Sequence, residues 1–263
     1  LLDLAIQFKK RERRIDLGNR VLGLIFSKAS TRTRVSFQVA MARLGGQTID
    51  LNPQLTQVGR GEPLKDTARV LSRYCDVLAI RTFAQQELVD YAHWSSIPVI
   101  NALTDLEHPC QALADFLTIL EACGSLQGKI LTYIGDGNNV AHSLMVCGAL
   151  LGVDVRVSTP QGFEPMKDFV DQARSLTVLK GSSIEISNDP FEAAKGAHAL
   201  YTDVWASMGQ EEEQIQRQEA FKGFCLNREV LSCAAKDAIV LHCLPAHRGE
   251  EISDDVMESP NSH

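Results

Sequence analysis

Apolar residues along this chain fall into short unbroken runs separated by stretches with helical spacing. "VLGLIF" (Val21 to Phe26) is continuous and too short for a helix, so it predicts a buried strand. The next segment repeats apolar positions at Val35, Val39 and Met41 and ends at Gly45-Gly46, which predicts a helix with a glycine stop. "QTID" predicts a short extended piece, "PLKDTARVLSRYC" a helix, "DVLAIRTF" a strand, "AQQELVDYAHW" a helix and "IPVINAL" a strand. A long helical stretch follows from His108 to Leu126.

The alternation then restarts at "QGK", with strand "ILTYIG", turn "DGNN", helix "VAHSLMVCGALLG" and strand "VDVRVSTP". "IEIS", the helix "PFEAAKGA", and the strands "HALYTDV" and "AIVLHCLP" complete it. Strands alternating with helices imply α/β architecture: two doubly wound domains with mostly parallel sheets, joined by interdomain helices. The boundary is expected on the long helix, giving domains 1–117 and 118–263. At 263 residues the chain exceeds a common domain size of about 100–200 residues, which also favours two.

Composition narrows the class. The 44% apolar and 22% charged residues are ordinary for a globular protein. A net charge of −7 argues against general nucleic-acid affinity. The one basic run, "KKRERR" (Lys9 to Arg14), reads as a solvated helix face. No apolar run reaches the ~18 residues of a membrane span, and no secretory signal is visible. Seven cysteines without a C-x-x-C pair fit reduced thiols in a cytoplasmic protein better than a disulfide framework or a zinc site. An organelle matrix would serve equally if a transit peptide had been removed.

Ser30, Thr31, Arg32, Thr33 and Arg34 stand at the mouth of the first predicted helix after a strand. Unpaired first-turn N–H groups and the positive dipole end suit an anion there, hydroxyls add donors, and guanidinium offers a fork matched to phosphate oxygens. The plain alternative is a Ser N-cap followed by two exposed arginines. In "HPCQ", His108 and Gln111 are three apart and face one side of the following helix's first turn, where imidazole and amide could hold a carbonyl oxygen and an NH2. By itself His-Pro is more often a boundary signal. "GDGNN" lacks the third small residue of a dinucleotide turn, because Val140 stands there, and no acid follows for a ribose; a turn holding a small polar ligand with Asn139 fits better. "TDVWASMG" and "HCLP" each follow a predicted strand, so Asp203 and Cys243 are expected together at strand ends, where thiol and carboxylate could orient a cationic amine. A buried small hydrophobe is the alternative for Cys243. No metal site and no cofactor are expected.

Taken together, "STRTR", "HPCQ", "GDGNN", "DVWASMGQE" and "HCLP", in this order across nearly the whole chain, resemble the aspartate/ornithine carbamoyltransferase family, and its ornithine-using branch in particular. The resemblance implies that Ser30, Thr31, Arg32 and Thr33 bind the phosphate of carbamoyl phosphate, with Arg81, His108, Gln111 and Gln57 in support. It implies that Asn139, Asp203, Ser207 and Met208 hold L-ornithine, and that Cys243 and Leu244 lie by the reacting carbon. Arg81, His108, Asp203 and Cys243 are then the expected catalytic groups. Family members are trimers or multiples of trimers with active sites between subunits. They also continue past the position of His263 into a helix that returns to the first domain with a further arginine, and open with a helix; this chain is expected to lack both.

Asp203 with no nearby arginine suits an amine better than aspartate; putrescine lacks the carboxylate for Asn139, and acetylornithine lacks a free α-ammonium. A noncatalytic binding homologue is the rival from another class, and a nicotinamide oxidoreductase a distant third.

Overall fold

The computed structural model describes residues 1–53, 56–206 and 214–263. They form two compact units, Leu1–Cys110 and Gln111–His263. In the first, helix α1 (Leu2–Lys9) precedes β1 (Val21–Phe26), α2 (Arg32–Arg43), β2 (Gln47–Leu51), α3 (Leu64–Leu71), β3 (Val77–Arg81), α4 (Gln85–Trp94) and β4 (Val99–Leu103). Helix α5 (Pro109–Cys123) carries the chain into the second unit near its own start, ahead of the expected 117/118 division. There follow β5 (Ile130–Ile134), α6 (Asn139–Leu151), β6 (Asp154–Ser158), α7 (Lys167–Thr177), β7 (Ile184–Ser187), α8 (Pro190–Ala194) and β8 (Ala199–Thr202). The last elements are α9 (Gln214–Ala220), α10 (Arg228–Cys233), β9 (Ile239–His242) and α11 (Asp254–Met257).

Both sheets are parallel, in the orders β2-β1-β3-β4 and β7-β6-β5-β8-β9. Parallel strands need long crossovers, which the helices supply. In the first unit the strand period of two splits the core between the sheet's faces. Ile25, Leu78, Ile80 and Tyr91 pack on one face, and Leu22, Leu24, Phe26 and Ala79 on the other. In the second unit Ile134, Leu200 and Val240 pack with Phe221, Val230, Ile252 and Val256. Each such large side chain fully buried contributes about 1.5–3 kcal/mol before entropic costs.

Strand order reverses between β1 and β3 in one sheet and between β5 and β8 in the other. Open α/β sheets keep their ligand crevices at the carboxyl ends of strands flanking such a reversal. Those ends are residues 27–31 and Arg81 in the first unit, and residues 135–139 and Asp203 in the second.

The helix expected over Val35, Val39 and Met41 is α2, and one other local expectation needs correction. Val35 and Val39 are exposed, and of α2's side chains only Met41 is buried. The apolar spacing was real, but this stripe does not cover the helix's own sheet. The basic run is exposed, yet only Lys9 is helical; α1 ends there, and Arg11 takes φ +60°.

Gly137, in the turn after β5, is glycine for a packing reason. A Cβ there would lie 2.2 Å from the Pro165 nitrogen and 2.6 Å from the Phe163 carbonyl oxygen. The Gly137 N–H donates to that same carbonyl at 2.9 Å. Neighbouring backbone, not a pyrophosphate, fills the space. Because backbone cannot swing aside as a side chain does, Gly137→Ala is expected to destabilise the fold by about 1–3 kcal/mol, read as a lowered urea midpoint.

Candidate active site

In the first unit, residues 27–31 leave β1 and turn into α2. Thr31 is the N-cap residue, but its side chain makes no capping bond, so it does not satisfy the first-turn N–H groups. Ser30 and Thr33 are half-buried beside this entrance, and Thr31 and Arg32 are exposed. The two arginines part company here. Arg34 turns back, with Nη1 3.1 Å from Asp50 Oδ2 and its guanidinium 5.1 Å from the Phe26 ring centre. It braces α2 against the sheet edge. Lys28 is also committed, paired with Asp105 at 2.5 Å and lying 4.3 Å from the Phe83 ring centre.

Arg81 ends β3 with its side chain buried, and its carbonyl accepts the Ser27 N–H at 2.8 Å, tying this strand end to the α2 loop. His108, just before α5, is buried too. Burial first, and the positive charge of Arg81 second, push its imidazole down to about 3. At neutral pH it is therefore an uncharged ring with one N–H to donate, suited to a carbonyl oxygen rather than a phosphate. Gln57 is exposed and lines a cavity of about 260 Å³ with Ile25, Leu51, Glu62 and Tyr91, none of which belongs to the α2 entrance.

In the second unit Asp203 follows β8 and is 6% exposed. Its Oδ2 accepts from Asn138 Nδ2 at 3.0 Å, and its Oδ1 from Cys243 Sγ at 3.0 Å. Asn138 is the N-cap of α6, its Oδ1 accepting from the Val140 and Ala141 N–H groups and, at 3.3 Å, from the Tyr133 hydroxyl. The structure thus assigns Asn138, which sequence reasoning passed over, to the cap and to Asp203, and leaves Asn139 half-exposed as the first helical residue. An Asn at the cap position was the available signal. Ser207 and Met208 lie outside the described residues.

Cys243 is a thiol. Burial pushes its pKa well up, and the Asp203 charge and hydrogen bond push further in the same direction. In the unliganded protein it is a hydrogen-bond donor to Asp203 rather than a thiolate. Leu244 follows with φ +58°, partly exposed, its N–H donating to His242 Nδ1 at 2.8 Å.

Asp115, which the sequence did not flag, lies within electrostatic reach of Asp203 and Cys243. It is buried on α5, its Oδ1 accepts from Gln111 Nε2 at 2.8 Å, and its carboxyl is pushed up to about 7, chiefly by burial, with the Asp203 charge adding to it. The bond orients the Gln111 amide, leaving Oε1 to accept from a ligand NH2. The i, i+4 spacing of Gln111 and Asp115 was its only trace in the sequence. Tyr201, wholly buried, and Cys147, pushed up to about 12, face the same carboxyl.

The sequence suggested no arginine near Asp203, and the buried arginine of this region is committed elsewhere. Arg217 donates to the Trp205 carbonyl and to Asp136 Oδ2, both at 2.8 Å, and is buried. Its charge is matched within the protein.

Two groups among the described residues bring three donors within 4.8 Å: Asp203, His242 and Cys243, and His247, Glu250 and Glu251. Asp203, His242 and Glu251 are already engaged with protein donors and acceptors, so neither group is a preformed metal cage.

Comparison with known proteins matches both halves. Residues 1–121 match the carbamoyl-P binding domain of aspartate/ornithine carbamoyltransferase, and residues 127–263 its Asp/Orn binding domain. An ornithine carbamoyltransferase of Prochlorococcus marinus (strain MIT 9313) is 74% identical over 262 residues, spanning 100% of this chain and 82% of the relative. The crystal structure of ornithine carbamoyltransferase from Gloeobacter violaceus is 56% identical with a TM-score of 0.90, covering 99% of this chain and 85% of that one. The Pyrococcus furiosus structure of the same name is 48% identical with a TM-score of 0.94, covering 100% and 84%.

The shifted groups act on stability in opposite senses. His108, at about 3 against 6.5, contributes stability that is complete above pH 6.5 and lost as pH falls toward 3. Asp115, at about 7 against 3.8, contributes stability that is complete below pH 3.8 and lost as pH rises through 7. In urea unfolding between about pH 4 and 6.5, His108→Asn should leave stability falling with rising pH, and Asp115→Asn stability rising, relative to the parent, each by up to about 1.4 kcal/mol per pH unit.

Proposed function

The chain belongs to the aspartate/ornithine carbamoyltransferase family, and we infer that it transfers the carbamoyl group of carbamoyl phosphate to the δ-amine of L-ornithine, giving L-citrulline and phosphate. The observation that carries the choice of amine is the acidic strand end of the second unit. Asp203 lies there in a buried setting, Asp115 of α5 is within electrostatic reach of it, and Arg217 is already matched to Asp136. Such a site gains from a cation and repels a dicarboxylate.

In this reading residues 1–117 serve carbamoyl phosphate and residues 118–263 serve ornithine, with the division on α5. The phosphate sits at the α2 entrance on Ser30, Thr31, Arg32 and Thr33. Backbone N–H groups and the helix dipole supply about 0.3–1 kcal/mol from the dipole alone, and Arg32 supplies the bidentate charge. Arg81 and neutral His108 face the carbamoyl oxygen, and Gln111, held by Asp115, accepts from its NH2. Ornithine's δ-amine, with a solution pKa near the lysine value of about 10.4, must shed a proton before it attacks. Asp203 orients that amine; Cys243, a donor in the unliganded state, fixes Asp203 rather than taking the proton. Attack gives a tetrahedral oxyanion that Arg81 and His108 stabilise, and phosphate departs still held at the helix entrance. Alignment and fixed charge supply the acceleration.

We place the reaction in arginine biosynthesis and in the cytoplasm, which suits seven free cysteines. Among the described residues no helix is long and apolar enough to cross a membrane. We also propose a homotrimer or a multiple of it; the exposed Val35 and Val39 on α2 and Ile49 on β2 offer apolar surface for such contacts.

Arg32→Ala should lower citrulline formation by about 100-fold or more while the urea midpoint stays put. Unchanged turnover would remove the α2 entrance from the site. Cys243→Ser should raise KM for ornithine and lower kcat, with the equilibrium dissociation constant of carbamoyl phosphate unchanged. The same citrulline assay run with N-acetylornithine, putrescine and aspartate in place of ornithine should give little or no carbamoylated product.

A further inference from the structure

The Cys243–Leu244 turn is not self-supporting. Leu244 is a branched residue in the left-handed region, where non-glycine residues rarely rest without outside bonds. Its N–H donates to His242 Nδ1 at 2.8 Å. A backbone N–H can only donate, so Nδ1 carries no proton, and the ring's one proton lies on Nε2. There it meets Glu251, whose Oε1 is 3.0 Å from His242 Nε2 and also accepts the His247 N–H at 2.6 Å. The His242 and Glu251 side chains are 2% and 0% exposed.

We propose that Glu251, acting through His242, is a positioning residue that sets the imidazole tautomer and thereby holds Leu244 and the adjoining Cys243 thiol in place for the reaction. Of the two neutral tautomers a carboxylate, which accepts and does not donate, admits only the Nε2–H ring, and the Leu244 N–H excludes the doubly protonated one; a neutral amide could meet either tautomer. Were the proton on Nδ1, it would confront the Leu244 N–H, the turn would open, and the Cys243 thiol would move relative to Asp203. The inference rests on the reading that Cys243 and Leu244 border the substrates, and the test separates the two.

In the full chain, nitrogen-15 NMR of the histidine rings should show His242 with a protonated Nε2 and a bare Nδ1. Two variants then isolate the bond to Leu244. His242→Asn keeps an acceptor near the Nδ1 position and should retain most activity. His242→Gln keeps a group near Nε2 but no acceptor for Leu244, and should lower kcat and raise KM for ornithine, kcat/KM falling by up to about 100-fold. An Nδ1–H ring in the parent protein overturns the chain of bonds while leaving the site assignment intact. An Nε2–H ring with both variants fully active removes the turn from the site, and the proposal with it. The ring signal is read on the parent protein, so the test stands even if a variant fails to fold.

Discussion

A buried carboxylate at the end of β8 governs the second unit. Taking an isolated ionised carboxyl group out of water costs several kcal/mol, so Asp203 has to be met by donors wherever it goes. The donors come from the two adjacent strand ends: the Asn138 amide after β5 and the Cys243 thiol after β9. Each donor is fixed by something else. Asn138 is locked by capping α6, and Cys243 lies in a turn held through His242. One charge therefore orders three loops, and the hydrogen bonds that make it tolerable also fix where a ligand's cation would have to sit.

The two helix entrances at the sheet reversals are built for different tasks. Helix α6 begins by satisfying itself, because Asn138 accepts from two of its early N–H groups. Helix α2 begins without a side-chain cap from Thr31, although threonine is well able to give one. An uncapped entrance ringed by hydroxyls and Arg32 keeps its electrostatic appetite for an anion; a capped one does not. On the proposed reading that contrast separates the half that takes a phosphate from the half that takes an amino acid.

Strand order and helix alternation were legible because the buried parallel strands are uninterrupted apolar runs and their crossovers have helical period, as in Val21–Phe26 followed by α2. Of the candidate site, the juxtaposition of Asp203 and Cys243 was legible, because both stand next to strand ends in the chain, and Cys243 Sγ donates to Asp203 Oδ1 at 3.0 Å. The site was not legible where a residue's role depends on a partner far along the chain. Arg32 and Arg34 look equivalent in sequence, and only the Asp50 carboxylate on β2 and the Phe26 ring tell them apart. Asp115 looks like an ordinary polar position on α5 in the sequence, and only its burial and its bond to Gln111 set it apart. Apolar spacing located α2 but not the exposure of Val35 and Val39, since period alone cannot say which surface a stripe will cover.

Arg217 shows why counting charges near a site is a poor guide to its preference. Its guanidinium donates to the carbonyl of Trp205, two residues past Asp203 in the chain. Its charge, however, is matched at 2.8 Å by Asp136 and capped by the Phe163 ring at 5.1 Å, all of it buried. A matched buried pair presents little net field to a ligand, and opening it would leave an uncompensated charge in a low-dielectric setting. On the proposed reading, what an incoming substrate meets is then Asp203 with its two donors, with the Asp115 carboxyl within electrostatic reach of it. These surroundings are acidic, and the preference for a cationic amine over a second carboxylate follows from them rather than from the absence of arginine.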